Sequence, residues 1–365
     1  MLADAYLAAG RPMHAVTELR KLSAIAPGQP SVWYALGQAY NALKQDALAT
    51  FDNPSDTPWR QLLAADALLA NNHLPNAFAL YRATLDSLPS MVTIHDSVAR
   101  IYDRIGNPAW AARERAKGRL PATACTERKP LCEFRAGRYR SALASVTTGS
   151  DAESRYWRAR AANELALAAF KQLDVLPDSA ERRSVRATLA RTEERYTDAI
   201  AELKAALRFM PRQPDLIYEL ASAYYSARDF DLAIETVAPL LQAYPDDARL
   251  LRLKGQSLLQ LRRPEEALPL LQRLVERSPT ELSARLALGR AHLQTGNFTA
   301  AIPLIEGQLP NDDDGSLHVQ LARAYAGLGQ REKAVALLAR SDEIQRAARE
   351  REAAAAAQRT ITAPK

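Results

Sequence analysis

The 365-residue chain is poor in the residues that small secreted folds and metalloenzymes rely on, with two cysteines, five histidines and 14 glycines. Two cysteines exclude a disulfide framework, although they allow one bridge. The histidines, His14, His73, His95, His292 and His318, show no metal-ligand spacing. No glycine-rich phosphate loop, Gly-x-Ser-x-Gly elbow or His-Glu-x-x-His helix occurs, so no catalytic, cofactor-binding or metal-binding residue is expected. Asn311 to Ser316 lacks the spacing and the bidentate glutamate of a calcium loop, and reads as a polar turn capping the helix after it. Apolar residues nowhere run for the roughly 20 positions that a membrane span needs. The N-terminal stretch lacks the continuous apolar core of a secretory signal. The net charge of +6 comes from 48 Lys and Arg against 42 Asp and Glu, interspersed along the chain. Charge so dispersed does not make the basic stripe that nucleic acid requires, and no nucleic-acid partner is expected.

What the chain does have is a period. From Pro214 to about Ser341 two helix-period runs, helix A and helix B, alternate with short polar turns every 34 residues. Small residues recur at the eighth place of each repeat (Ala221, Gly255, Gly289, Ala322) and at the twentieth (Ala233, Ala267, Ala301, Ala334). Two helices cross closely only where both offer little side chain. Larger apolar residues fill the seventh, eleventh and twenty-fourth places in most repeats, among them Leu220, Tyr224, Val237, Leu258, Leu271, Leu288, Ile305, Leu321, Tyr325 and Leu338. Pro245 and Pro279 close helix B, because proline cannot continue the backbone ladder.

This arrangement resembles the tetratricopeptide repeat in its multi-repeat bacterial form. The resemblance implies an all-α, right-handed α-solenoid of about ten helix pairs, here interrupted by two long irregular helices. The chain opens inside a repeat, with Ala3, Tyr6, Gly10, Ala15, Leu19 and Pro27 at matching places, so the first positions of that helix A are expected upstream. Trp33, Leu36, Gly37 and Tyr40 begin the next unit, but no turn follows, and one long helix over 31–52 stands where a pair should be. A second turnless stretch gives a long helix at about 152–174. A shift of 122 residues carries Ala65 onto Ala187, Ala77 onto Ala199, Pro89 onto Pro211 and Tyr102 onto Tyr224, so a block of several repeats with one long helix occurs twice. The expected organisation is an N-terminal block at 1–118, a cysteine-containing irregular insert at 119–136, a second block at 137–211, a regular block at 212–341, and a polar C-terminal helix and tail at 342–365. Cys125 and Cys132 in the insert are either bridged, which favours an exported or periplasmic location, or two free thiols, which suits the cytoplasm.

The family's work, and hence the expectation here, is non-catalytic: a scaffold or adaptor holding protein or peptide partners. In the family, the second, fifth, ninth, twelfth and thirteenth places of helix A line the concave groove. Those places put Tyr218, Tyr225, Arg249, Arg252, Gln256, Arg290, Gln294 and Arg323 on one face. An arginine fork suits carboxylates, so an extended, acidic peptide is the expected ligand. The lysine and asparagine clamp of the family's chaperone-binding members is not reproduced. In the N-terminal block the same places give Tyr34, Gln38, Asn41, Leu62, Asp66, Asp96, Arg100, Asp103 and Arg104, whose mixed signs suggest either internal pairing or a less charged ligand. The competing readings are a substrate-recruiting arm of an enzyme whose catalytic domain lies elsewhere, and a lipid- or glycan-binding groove. The register itself is open to test. Ala233→Trp is expected to destabilise by roughly 1–3 kcal/mol, as overpacking of a tight crossing does, which urea denaturation would measure.

Overall fold

The computed structural model describes residues 2–51, 56–89, 91–119, 125, 129–146, 149 and 151–364. Their regular structure is entirely helical, and they form two compact units, residues 1–177 with 354–365 and residues 178–353. The first unit contains α1 (Leu2–Ala8), α2 (Pro12–Ile25), α3 (Pro30–Ala49), α4 (Thr57–Ala70), α5 (Leu74–Ser87), α6 (Thr93–Arg104), α7 (Pro108–Lys117), α8 (Lys129–Arg135), α9 (Tyr139–Ala144) and α10 (Ala152–Asp174). The second contains α11 (Ala180–Thr192), α12 (Tyr196–Phe209), α13 (Pro214–Ser226), α14 (Phe230–Ala243), α15 (Ala248–Gln260), α16 (Pro264–Arg277), α17 (Leu282–Gln294), α18 (Phe298–Glu306), α19 (Ser316–Gly327) and most of α20 (Arg331–Gln358).

One turn chemistry joins helix A to helix B throughout. The fifteenth residue of the repeat takes a left-handed backbone, at Gly10, Asn72, Gly106, Gly137, Glu194, Arg228, Arg262, Gly296 and Gly329. The next amide then reaches back to the carbonyl of the eleventh residue, as Asn107 N does to Tyr102 O at 2.9 Å and Arg263 N to Leu258 O at 2.9 Å. The amide of the fifteenth residue bonds the twelfth, as Gly106 N does to Asp103 O at 3.0 Å. These two bonds make a Schellman cap, which satisfies carbonyls that a helix end otherwise leaves bare. Proline at the first turn of α2, α7 and α16 then restarts the chain as helix B, where the missing N–H is not needed.

The small residues lie where the register puts them. Ala15, Ala77, Ala111, Ala142, Ala199, Ala233, Ala267 and Ala301 are each 0% exposed. A Cβ at Gly255 would stand 2.7 Å from Leu271 Cδ2, and one at Gly289 would stand 3.1 Å from Ile305 Cγ1. The twenty-fourth-place residues Val237, Leu271 and Ile305 are fully buried, whereas Leu338 is 45% exposed. Leu338 differs because the array ends with its helix, so no further repeat covers that side of it.

The two long helices do not stand alone in place of helix pairs. They pair with each other, in the most extensive helix packing among the described residues, with α2 against α3 and α9 against α10 on either side. Lys44 Nζ donates to Asn163 Oδ1 at 3.3 Å, and the Arg155 guanidinium donates to Thr50 O. A Cβ at Gly37 would come within 2.3 Å of Phe170 Cε1. As position rises along α3 its partner falls along α10, so the helices run antiparallel. Leu36, Ala39, Tyr40 and Leu43 meet Ala161, Ala162, Leu165, Ala166 and Ala169 in one buried cluster. The copies of one duplicated helix therefore bury against each other the stripe that each leaves uncovered.

A charged group is sealed beside this seam. Asp66 on α4 pairs with Arg160 on α10, their side chains 12% and 13% exposed. Asp66 also accepts from Tyr81 Oη at 2.6 Å and from Tyr156 Oη at 3.1 Å. Burial, followed by the nearby Asp66 charge, pushes the Tyr81 phenol well up. Asp66 thus belongs to the interior and not to a groove. Leu62 is buried too, while Asp96 pairs with Arg135 and Asp103 with Arg115, so the mixed signs of this block are internal pairing.

Residues 120–124 and 126–128 of the insert lie outside the described residues. Cys125 and Cys132 are bridged, with Cα atoms 5.6 Å apart, tying the insert to α8. A loop this short gains about 2–3 kcal/mol in the chain-entropy account.

The α3/α10 seam generates a test. Gly37→Leu should lower stability by about 1–3 kcal/mol in chemical denaturation. Phe170→Ala introduced with it should recover part of that loss, since the ring is what the new side chain strikes; additive losses would count against this packing.

Candidate peptide-binding face

Within the second unit the A helices approach one another directly, α13 touching α15 and α15 touching α17. The residues singled out by register share that face. Tyr218, at the fifth place of α13, lies under the Arg249 guanidinium, whose Cζ is 5.2 Å from the ring centroid. With Pro214, Leu240, Tyr244, Asp247 and Leu250 they line a cleft of about 100 Å³. Tyr225 is half-buried and packs edge-on against Phe230 at 5.4 Å. Gln256 is half-buried on α15. Gln294 donates to Leu259 O at 3.4 Å, and its own Oε1 is buried without a partner.

The four arginines divide into two kinds. Arg249 is held by Asp247 at 3.1 Å and lies 3.7 Å from Asp215. The bond from Asp247 comes first among the causes that raise its pKa. Arg252 is clamped 2.5 Å from Glu281, the N-cap residue of α17, and its Nε is buried without an acceptor. Arg290 meets only a neutral group, Gln320 Oε1 at 3.2 Å. Arg323 is exposed, and neither it nor Arg290 has an ion pair among the described residues. Sequence reasoning placed all four cations on the face but missed that Asp215, Asp247 and Glu281 neutralise two of them. Asp215 was visible at the second place of its repeat, one period before Arg249. Asp247 and Glu281 sit just outside their helices, where the groove register does not look.

The polar turn before α19 is structural. Asp312 accepts from Leu317 N at 3.1 Å, His318 N at 3.0 Å and His318 Nδ1 at 2.5 Å, and Asp314 Oδ1 accepts from Ser316 N at 2.9 Å. Burial pushes the Asp312 carboxyl up, but the bonds from His318 and the two amides outweigh it and hold the pKa below the usual range. His292 is half-buried, its Nδ1 lacks a partner, and burial lowers its pKa. No group of three potential metal ligands occurs among the described residues. No described helix is long and apolar enough to cross a membrane.

The fold defines an array of helix pairs repeated through short left-handed turns. The tetratricopeptide repeat family model matches residues 1–51, 184–248, 218–281 and 252–316, and a second model of that description matches 315–347. These matches cover more than half of the chain, which belongs to the tetratricopeptide repeat family. No curated protein matches it. Among solved structures it is similar to MamA MSR-1, at 21% identity over 46% of this chain and 97% of that one, with a TM-score of 0.41. MamA from Desulfovibrio magneticus RS-1 gives 20% identity, 47% and 97% coverage and a TM-score of 0.44. MamA AMB-1 gives 24%, 44% and 95%, with a TM-score of 0.40.

The Asp312 cap makes a pH prediction. Its pKa is depressed on folding, so its contribution is present above the unfolded value near 4 and is lost as pH falls through the native one. Asp312→Ala should cost about 1–2 kcal/mol at pH 7. In urea denaturation the gap between variant and parent should close below about pH 4.

Proposed function

We propose that this chain is a non-catalytic scaffold that holds an extended, acidic peptide segment along the helix-A face of its second unit, from Tyr218 to Arg323. The observation that supports this reading is the pair Arg290 and Arg323. They lie on successive A helices and are exposed, with no ion-pair partner among the described residues. Arg249 and Arg252 already have carboxylate partners, so they stiffen the face and shape the Tyr218 cleft. An extended segment laid across α17 and α19 would place its carboxylates against the two free forks, each able to grip bidentately.

The test is a labelled twelve-residue peptide of alternating Glu and Ser, titrated against the full chain by fluorescence anisotropy. Arg290→Ala with Arg323→Ala should weaken binding about threefold to tenfold, the effect of two exposed charge pairs, and flatten its salt dependence. Arg208→Ala with Arg212→Ala removes the same charge at the end of α12 and should change little. Equal losses in the two double variants would reduce the face to bulk electrostatics, and an unchanged affinity in the first would exclude it.

A further inference from the structure

The last residues of the chain form a ligand in their own right. After α20 ends at Gln358, the composition changes from the helix formers of Ala353–Gln358 to Thr360, Ile361, Thr362, Ala363 and Pro364. Three β-branched residues followed by a proline favour extended backbone, and Pro364 biases Ala363 the same way. Residues 354–365 belong to the first unit, and the non-helical part is docked there. Thr362 O accepts from Tyr102 Oη on α6 at 2.7 Å. Ile361 packs against the cluster that contains Ile94, Val98, Ile101 and Tyr102. Pro364 is buried.

The corresponding helix pair of the second block is covered differently. In the second copy, α13 and α14 correspond to α6 and α7, and the next helix, α15, packs on both of them. In the first copy α6 meets the following helix, α8, through the Asp96–Arg135 pair, and α8 pairs with α9 and reaches α10. Tyr102 is fully buried, against Trp110 at 5.6 Å and Phe78 at 5.9 Å, and the hydrogen bond of its phenol goes to the main chain of the tail. A buried phenol needs such a partner, and here a peptide carbonyl supplies it.

We propose that this edge of the first unit is a second peptide-binding site, distinct from the helix-A face of the second unit, and that Ile361–Pro364 is its resident ligand in cis. The kind of partner it fits is an extended segment with an apolar residue three positions before a proline. The site reads an aliphatic side chain and a carbonyl one residue later, and it buries the proline. Such a partner enters only when the tail leaves, because a tethered segment competes at an effective concentration of about millimolar.

The probe is a fluorescein-labelled peptide Arg-Thr-Ile-Thr-Ala-Pro-Lys, identical to residues 359–365. It is titrated against the full chain and against a chain ending at Arg359. The shortened chain should bind it saturably, and the full chain about tenfold or more weakly. Tyr102→Phe in the shortened chain should weaken binding by about fivefold, the loss of one net hydrogen bond. A peptide carrying I361D should not bind, a result that leaves the protein itself untouched. Failure of the shortened chain to bind, or equal binding by both chains, would overturn the proposal. So would a full-length dimer in light scattering that dissociates when the tail is removed, because the occupant would then be a second copy's tail.

Discussion

Each helix pair crosses where one partner has a methyl group and the other a methyl group or a hydrogen, and the rest of the array follows from that limit on size. At Gly255 and Gly289 an added Cβ would meet Leu271 and Ile305, so the small residue leaves the space beside the crossing that these side chains fill. The Schellman cap at each turn then fixes the angle at which helix B returns. Because the crossing and the turn repeat together, each pair presents the same surface to the next. Stability accumulates between neighbours and needs no central core, which is why the second unit carries its apolar residues in successive clusters.

The first unit answers the same limit differently. A helix too long to fold back on itself has an apolar stripe that no helix B covers, and the chain contains that helix twice. Antiparallel pairing of α3 with α10 lets each copy cover the other, much as identical surfaces meet in a two-fold dimer. Gly37 admits the ring of Phe170, and the Asp66, Arg160, Tyr81 and Tyr156 group ties α4 and α5 to the seam. A half-satisfied buried charge would be costly, and here carboxylate and guanidinium both find partners. Leu62 and Asp66, which the repeat register assigns to a groove, lie in the interior.

On the helix-A face of the second unit the decisive quantity is how many cations are left unneutralised. Glu281 and Asp247 cap or flank helix starts, where a carboxylate is favoured by the exposed amides, and from there they capture Arg252 and Arg249. The same carboxylates that begin helices thus decide which arginines of this face are ion-paired.

Periodicity alone determined the helical class, the family, the places of the buried alanines, the turns, the long helices and the duplication, because each depends on residue size or backbone preference within one repeat. The groove residues were legible as a register but not as an electrostatic surface, since Arg252 meets Glu281 across 29 positions of sequence. Only tertiary structure decided that the two long helices pair, that Asp66 is interior, that Cys125 and Cys132 are joined, and that Ile361–Pro364 docks beside Tyr102, 260 residues away from Thr362 in sequence. A repeat specifies its contacts with its neighbours. Contacts between distant segments depend on where the whole chain carries them, and no local pattern encodes that.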